Sequence, residues 1–363
     1  MKTKSLFLGN FYVFNLLAMA VVKPILVIKF GTASITRPSG EPDQAVIAEI
    51  ARQVASLHTD YHIILVSSGA VGAGKTHIHE YRGNITQRKA AAAVGNPILI
   101  GLYAQHFLPY QIAIAQSLCE RQHFANRHQF LQLKSTYEEL WTSGIIPIVN
   151  ENDVVSDREL KFSDNDELAT LIATGFGAQT LMLCTSVGGL LDEHGRVVPE
   201  VGDINDVFKW VRTEKSDLGL GGMASKLTFT KLATQMGIRV VIFGMNQPDG
   251  IIKALRQETG TVFQPQAATL SARRRWLGSG GLVAGQLRID DGAVRALQKR
   301  KSLLAVGILQ VQGEFEAGEL VEIFNPTGKM VAVARSRETS GAIKSNLKTI
   351  NFEVANASDI VIF

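Results

Sequence analysis

Five short runs of nearly unbroken Val, Ile and Leu punctuate the first 260 residues, and stretches with helical spacing separate them. The runs are 24–30 (PILVIKF), 62–68 (HIILVSS), 145–150 (IIPIVN), 180–185 (TLMLCT) and 239–244 (RVVIFG). The helical stretches are 43–57, 86–105, 126–143, 164–175, 205–212 and 224–236. A strand that is apolar on both faces must be covered on both faces, and helices lying between such strands supply the cover. The pattern predicts an α/β fold with a mainly parallel sheet sandwiched by helices. Ligands bind such sheets at the carboxyl ends of the strands. Four of the five runs end there in small or polar residues: Gly31-Thr32, Ser67-Ser68-Gly69, Asn150-Glu151-Asn152-Asp153 and Thr185-Ser186.

The pattern changes near residue 280. The stretch RRRWLGSGG (273–281) reads as a linker, and beyond it come short alternating strands and the turn NPTG (325–328). A small C-terminal β-rich domain is expected. The predicted division is an extension at 1–22, an α/β domain at 23–262, a linker at 263–281 and the β-rich domain at 282–363. Two domains also suit 363 residues at ~150 residues per domain.

Hydrophobic residues make up 46% and charged residues 19%, which implies packed cores and argues against disorder. The formal net charge of +4 is small for this length and does not argue for a polyanionic partner. Cys119 and Cys184 are too few and too far apart for a disulfide framework or a zinc site, and their apolar surroundings suggest buried thiols.

The stretch Gly69 to Thr76, GAVGAGKT, fits the phosphate-loop pattern G-x-x-x-x-G-K-[ST] at every fixed position and follows an apolar run. A nucleoside triphosphatase of that class also needs an apolar strand ending in a magnesium-binding Asp. Here the strands end in Ser and Asn. That reading would also leave other glycine–lysine elements unused. Lys29 closes a buried strand with Gly31 two residues on, a placement that suits a phosphate contact and equally an edge lysine beside a turn. The glycine-rich segment Leu218–Leu227 leads into a helix with Lys226 in its first turns, an arrangement that cradles phosphate oxygens on backbone N–H groups. Asp153 and the cluster Asp164-Asn165-Asp166 are acid–amide groups within about fifteen residues. Either alone reads as helix capping; together, at strand ends, they suggest a polar pocket.

Taken in order, KFGTAS, SSGAVGAG, AAAVGNPIL, IVNENDVV, FSDNDELA and GGMASKL resemble the amino-acid kinase family from about Lys23 to Gly260. From about Val283 onward the chain is similar to a PUA domain. The resemblance implies the amino-acid kinase fold and ATP-dependent phosphorylation of a carboxylate. The NEND and SDND pair, with the PUA tail, points to the γ-carboxylate of L-glutamate, giving L-glutamyl 5-phosphate in the first step of proline biosynthesis. Within the family the rival substrates are acetylglutamate, aspartate, carbamate and uridylate. Lys29 and Lys226 look like the lysines that stabilise charge on the transferred phosphoryl group, and Asp166 like the carboxylate that orients them. Ser68, Gly69, Ala70, Asp153 and Asn165 correspond to substrate-binding positions. Lys29, Gly31, Thr185, Ser186, Leu220, Gly221, Gly222, Met223, Ala224, Ser225 and Lys226 correspond to the ATP site. The family usually has Asp at Ser186 and often Thr at Leu220, and both departures lie on the nucleotide side. By this resemblance Lys75 and Thr76 lie on a helix surface and serve neither site.

The implied co-substrate is ATP with Mg²⁺ carried on its phosphates. The implied partners are L-glutamate, a feedback inhibitor such as L-proline, further copies of the chain as a dimer or tetramer, and the next reductase of the pathway. Residues 1–22 imitate a secretory signal, with two early lysines and Ala18-Met19-Ala20. An ATP site immediately afterwards favours a cytoplasmic protein, with Met19 as the natural start and no membrane attachment. RNA is an unfavoured partner. The segment 282–363 carries ten basic and nine acidic residues, whereas a dedicated RNA surface is more basic. A structural or regulatory role is expected for it.

Overall fold

The computed structural model describes residues 23–120, 123–124, 127–155, 165–204, 207, 223–266, 283–315, 317–318 and 320–362. The extension at 1–22, most of the helix expected at 205–212 and the linker from 267 onward lie outside these residues. The first sheet and its helices comprise, in order, β1 (Ile25–Phe30), α1 (Thr32–Ile35), α2 (Gln44–Leu57), β2 (His62–Ser67), α3 (Ala70–Gly74), α4 (Ile85–Phe107), β3 (Ile114–Cys119), α5 (Arg127–Thr142) and β4 (Ile146–Glu151). They continue with α6 (Asn165–Phe176), β5 (Thr180–Cys184), β6 (Glu200–Val201), α7 (Met223–Gln235), β7 (Arg239–Phe243), α8 (Gly250–Leu255) and β8 (Thr261–Phe263).

The eight strands lie in the order β3-β4-β2-β1-β5-β7-β8-β6, parallel except between β7 and β8. Side chains alternate across each strand, so every central strand feeds two cores. Val27, Ile64, Val66, Val149, Leu181, Leu183, Val240 and Ile242 pack on one face with α5, α6 and α7. Leu26, Ile28, Phe30, Ile63, Leu65, Met182, Val241 and Phe243 pack on the other with α2, α4 and α8. This is the three-layer sandwich implied by the apolar runs.

Three strands escaped the sequence reading. In β3 the polar Gln116 and Ser117 interrupt the apolar pattern because this is an edge strand, paired with β4, and Gln116 is exposed. β6 and β8 have two and three residues, too few to register as runs.

The C-terminal sheet orders β11 (Ile308–Gln312), β9 (Val283–Ile289), β12 (Leu320–Phe324), β13 (Met330–Arg335) and β15 (Ile360–Ile362). A second ladder pairs β10 (Leu303–Leu304) with β14 (Glu353–Ala355), and the helices are α9 (Asp291–Gln298) and α10 (Ser340–Ser345). Its own core gathers Leu287, Ile289, Val321, Ile323, Ala334, Ile343 and Val354. The expected NPTG turn joins the antiparallel β12 and β13, and the Gly328 amide donates to the Asn325 carbonyl at 3.0 Å.

Candidate active site

Lys29 shares its strand parity with Val27, so it points to the face covered by α6 and α7. Asp166 stands in the first turn of α6, and Lys226 in the first turns of α7. The three side chains meet. Lys29 Nζ lies 2.6 Å from Asp166 Oδ1, and Lys226 Nζ lies 2.8 Å from Asp166 Oδ2. Asp166 is fully buried and both lysines nearly so, at 4% and 8% exposure. Burial alone would raise the Asp166 carboxyl pKa, but the two ammonium groups outweigh it and hold the carboxyl below its ordinary range. The unit carries two positive charges and one negative, so it has a net +1 to offer an anion. Such a buried cationic pair at strand ends suits phosphate.

Beside it runs a chain of side-chain hydrogen bonds. Asn165, the first residue of α6, donates from Nδ2 to Ser68 Oγ at 2.8 Å and to Asn150 Oδ1 at 2.9 Å. Asn150, in β4, donates from Nδ2 to Asn96 Oδ1 of α4 at 3.2 Å. Its Oδ1 also accepts the Glu151 backbone N–H at 2.9 Å. The carriers β4, β2 and β1 are neighbours, with Val66 opposite Val149 and Phe30 opposite Ser67. Asn96 and Asn150 were given no role by the sequence reading. The available signal was a polar residue, Asn96, on the apolar helix stripe of Ala92, Leu99 and Tyr103.

Gly31 follows β1, and a Cβ built there would sit 3.5 Å from Lys29 Nζ, so the glycine keeps the approach to the ammonium open. Gly69 adopts φ +104°, a left-handed turn that starts α3 at Ala70. Thr185 is half-buried at the end of β5, its amide bonded to the Phe243 carbonyl at 2.7 Å, and Ser186 beyond it is exposed. Asp153 is half-buried in the turn after β4. Met223, Ala224 and Ser225 form the start of α7 ahead of Lys226. Leu220, Gly221, Gly222 and Asp164 lie outside the described residues.

The phosphate-loop look-alike is not an open loop. Residues 70–74 are already helical, and the Ala73 and Lys75 amides donate to the Gly69 and Val71 carbonyls. The amides without helical partners are those at the Gly69–Ala70 end. Lys75 is at the opposite end, in a 3₁₀ turn, and its ammonium donates to the Ser39 carbonyl. The expectation of a helix-surface lysine needs this correction: Lys75 is half-buried and tied to the loop before α2. Gly74 has a packing reason. A Cβ there would lie 2.0 Å from the Ala91 carbonyl oxygen, and one at Gly95 would lie 1.7 Å from that of Ala70, so α3 and α4 touch backbone to backbone.

Both cysteines are buried free thiols, and burial pushes each up to about 11. Among the described residues no group of three or more His, Cys, Asp or Glu has the arrangement of a metal site, and no helix is long and apolar enough to cross a membrane.

Known proteins resemble the chain over most of its length. The model of the amino acid kinase family matches residues 24–244, and that of the PUA domain matches 285–351. A glutamate 5-kinase of Rippkaea orientalis is 40% identical over 325 residues, covering 86% of this chain and 88% of that one. Glutamate 5-kinases of Sodalis glossinidius and Thermosynechococcus vestitus are 39% and 36% identical over 88% and 91% of this chain and 90% and 94% of theirs. In fold, the chain is similar to a carbamate kinase from Giardia lamblia bound to AMP-PNP, with a TM-score of 0.50 at 16% identity over 68% of this chain and 99% of that one. The chain belongs to the amino acid kinase family, among its glutamate 5-kinases.

Proposed function

We propose that the chain transfers the γ-phosphoryl group of ATP to the γ-carboxylate of L-glutamate, giving L-glutamyl 5-phosphate and ADP in the first step of proline biosynthesis. One observation carries the reading: two buried lysines clamp a single buried carboxylate at the strand ends, beside a row of carboxamides. The acceptor carboxyl, with an ordinary pKa of ~4.3, is already ionised at neutral pH, so no general base is required. The work left to the protein is positioning and charge stabilisation. Lys29 and Lys226 take the charge on the transferred phosphoryl oxygens. Asp166 orients both lysines and keeps their repulsion from opening the site. Ser68, Asn165 and Asp153 hold glutamate, with Gly69 and Ala70 offering amides between the two substrates. Gly31, Thr185, Ser186, residues 220–222 and the start of α7 from Met223 to Lys226 hold the nucleotide. Mg²⁺ carried on the ATP phosphates would neutralise part of their charge.

The same reading divides the chain into a kinase domain at 23–262 and a PUA-like domain at 282–363, preceded by an extension. It places the enzyme in the cytoplasm, where ATP is available, as a dimer or tetramer. It includes inhibition by L-proline and delivery of the labile acyl phosphate to the next reductase. The experiment is trapping of the acyl phosphate with hydroxylamine, using L-glutamate, N-acetylglutamate and L-aspartate in parallel. ATP-dependent γ-glutamyl hydroxamate is expected. Equal or better turnover of either alternative overturns the substrate assignment.

A further inference from the structure

We infer that Gln53, on α2, is a positioning residue for the nucleotide: it caps α8 from the neighbouring helix and thereby fixes the loop that carries Thr185 and Ser186. The inference rests on the proposed function in placing those two residues at ATP. α8 begins without a local cap. Its N-cap residue, Asp249, takes a left-handed backbone at φ +60° and makes no side-chain hydrogen bond to the helix. An N-cap side chain ordinarily accepts from the second or third helical amide. Here Gln53 does so from α2: its Oε1 accepts from the Ile251 N–H at 2.8 Å and from the Ile252 N–H at 3.2 Å. Backbone N–H groups can only donate, so the carbonyl end of Gln53 must face α8. Its amide end then meets Glu49 Oε1 at 2.7 Å. The Glu49 carboxylate can only accept, and Arg52 holds it with two hydrogen bonds of 2.8 Å. Gln53 is therefore oriented from both ends, and it is fully buried.

The cap reaches the nucleotide side through backbone contacts. A Cβ built on Gly250, the first residue of α8, would lie 2.4 Å from the Gly244 carbonyl oxygen. One on Gly244 would lie 2.7 Å from Gly188 Cα and 3.1 Å from the Thr185 carbonyl oxygen. The Thr185 amide in turn donates to the Phe243 carbonyl at 2.7 Å. Glycine at these positions lets three backbone segments touch, and close-packed backbone transmits a displacement instead of absorbing it. Residues 245–248 border a hollow of about 430 Å³ beside Glu49 and Arg52, so the segment has room to shift. Without the Gln53 carbonyl, the Ile251 and Ile252 amides lose their acceptor, and buried donors are costly to leave unpaired. α8 then moves towards water in the hollow, and the backbone at 244 and 185–188 moves with it. The exposed pair of Arg52 and Asp249 remains but holds weakly. None of these contacts involves Ser68, Asp153 or Asn165, so the acceptor side is spared.

The test measures hydroxamate formation against ATP and against L-glutamate in wild type, Gln53→Leu, Gln53→Glu and the α2 packing control Val54→Ala. Leucine fills the space and removes the acceptor; glutamate at this position retains an acceptor oxygen for both amides. For Gln53→Leu the expected result is a rise of about tenfold in KM for ATP, the size of one hydrogen bond, with KM for glutamate within about twofold of wild type. Gln53→Glu should recover most of the affinity for ATP. Val54→Ala should lose stability and leave both KM values unchanged, as a purely structural role for Gln53 would also do. If the leucine variant does not fold, Gln53→Met, which keeps the length of the side chain, takes its place with the same expectation. The coupling is reciprocal, so in the wild type saturating ADP should slow hydrogen exchange at the Ile251 and Ile252 amides more than saturating glutamate does. Beside a wild type that makes γ-glutamyl hydroxamate, an unchanged KM for ATP in the folded variants, a rise shared equally by glutamate, or no added protection by ADP refutes this inference alone. A wild type that does not phosphorylate glutamate refutes the proposed function, and the inference with it.

Discussion

Asp166→Asn is the substitution that most directly tests the lysine clamp. It keeps the shape of the side chain and removes the charge from a fully buried position 2.6 Å from one ammonium and 2.8 Å from another. At an effective dielectric of about 20, each contact represents roughly 6 kcal/mol of attraction before the penalty of burying the ions. Removing one member of a buried ion cluster typically costs about 3–5 kcal/mol, because the remaining charges stay desolvated. Proton loss sets an independent ceiling. A stranded lysine can become neutral, and taking a proton from a group of pKa ~10.4 at pH 7 costs about 4.6 kcal/mol. The two figures agree, so a loss of about 3–5 kcal/mol is expected at pH 7.

The ceiling also gives the loss a pH signature. In the variant, one lysine pKa is depressed in the folded state, so the unfolded chain binds more protons and folding gains as pH rises. From pH 7 to 9 the deficit relative to wild type should shrink, by at most ~1.4 kcal/mol per unit. Activity should not return with it, because the neutral lysine no longer stabilises phosphoryl charge. Urea unfolding of wild type and variant at both pH values, with hydroxamate formation measured alongside, decides the matter. A deficit below about 1 kcal/mol, or one that is the same at pH 7 and pH 9, would refute the claim that Asp166 holds two charged lysines together.

The phosphate-loop mimic gives a second prediction: Lys75→Ala should keep most activity, while Lys29→Ala and Lys226→Ala should each lower kcat by about 10²–10³-fold; the opposite ranking would restore the phosphate loop. Gly95→Ala should destabilise the chain by at least about 1–3 kcal/mol, since its Cβ would meet backbone at 1.7 Å, whereas Gly101→Ala on the same helix meets nothing within 4 Å and should be neutral or stabilising in thermal denaturation. In acid, wild type should lose the stability due to Asp166: its folded pKa is lowered, so the contribution is present above the unfolded value of ~3.9 and disappears as pH falls through the folded one. Acid titration of Asp166→Asn should show a correspondingly weaker loss in that range. Cys119 and Cys184, with pKa values of about 11, should resist alkylation at pH 8 in the native chain and both react once it unfolds.

The sandwich was legible because parallel strands buried on both faces leave continuous apolar runs, and the central strands β1, β2, β4, β5 and β7 each did so. The edge strand β3 was not, because one-sided burial lets polar residues interrupt the run. Lys29, Asp166 and Lys226 were legible as residues through family resemblance, but their meeting depends on strand parity and on two helices far apart in sequence. The carboxamide row was less accessible still. Asn96, Asn150 and Asn165 come from α4, β4 and α6, and only the tertiary fold brings them within hydrogen-bond distance. Sequence spacing records what lies along one element; it does not record which way an amide faces across three.

The fate of GAVGAGKT shows what a motif match omits. A phosphate loop binds anions because several consecutive amides are unpaired and converge on one point. That is a property of hydrogen-bond accounting, and the letters carry it only if the backbone stays open. Here the same letters fold into α3, which spends the Ala73 and Lys75 amides inside the helix and uses Gly74 to let α4 approach. With those two backbone donors consumed, the full positive charge beside α3 is carried by side chains, Lys29 and Lys226, and two lysines brought near each other repel. A carboxylate between them removes the repulsion, and because it sits fully buried on α6, it also ties β1 and α7 to a common point. Under the proposed function, the clamp takes the place of the open loop that α3 does not provide. Its integrity depends on Asp166, which the phosphate-loop pattern does not contain.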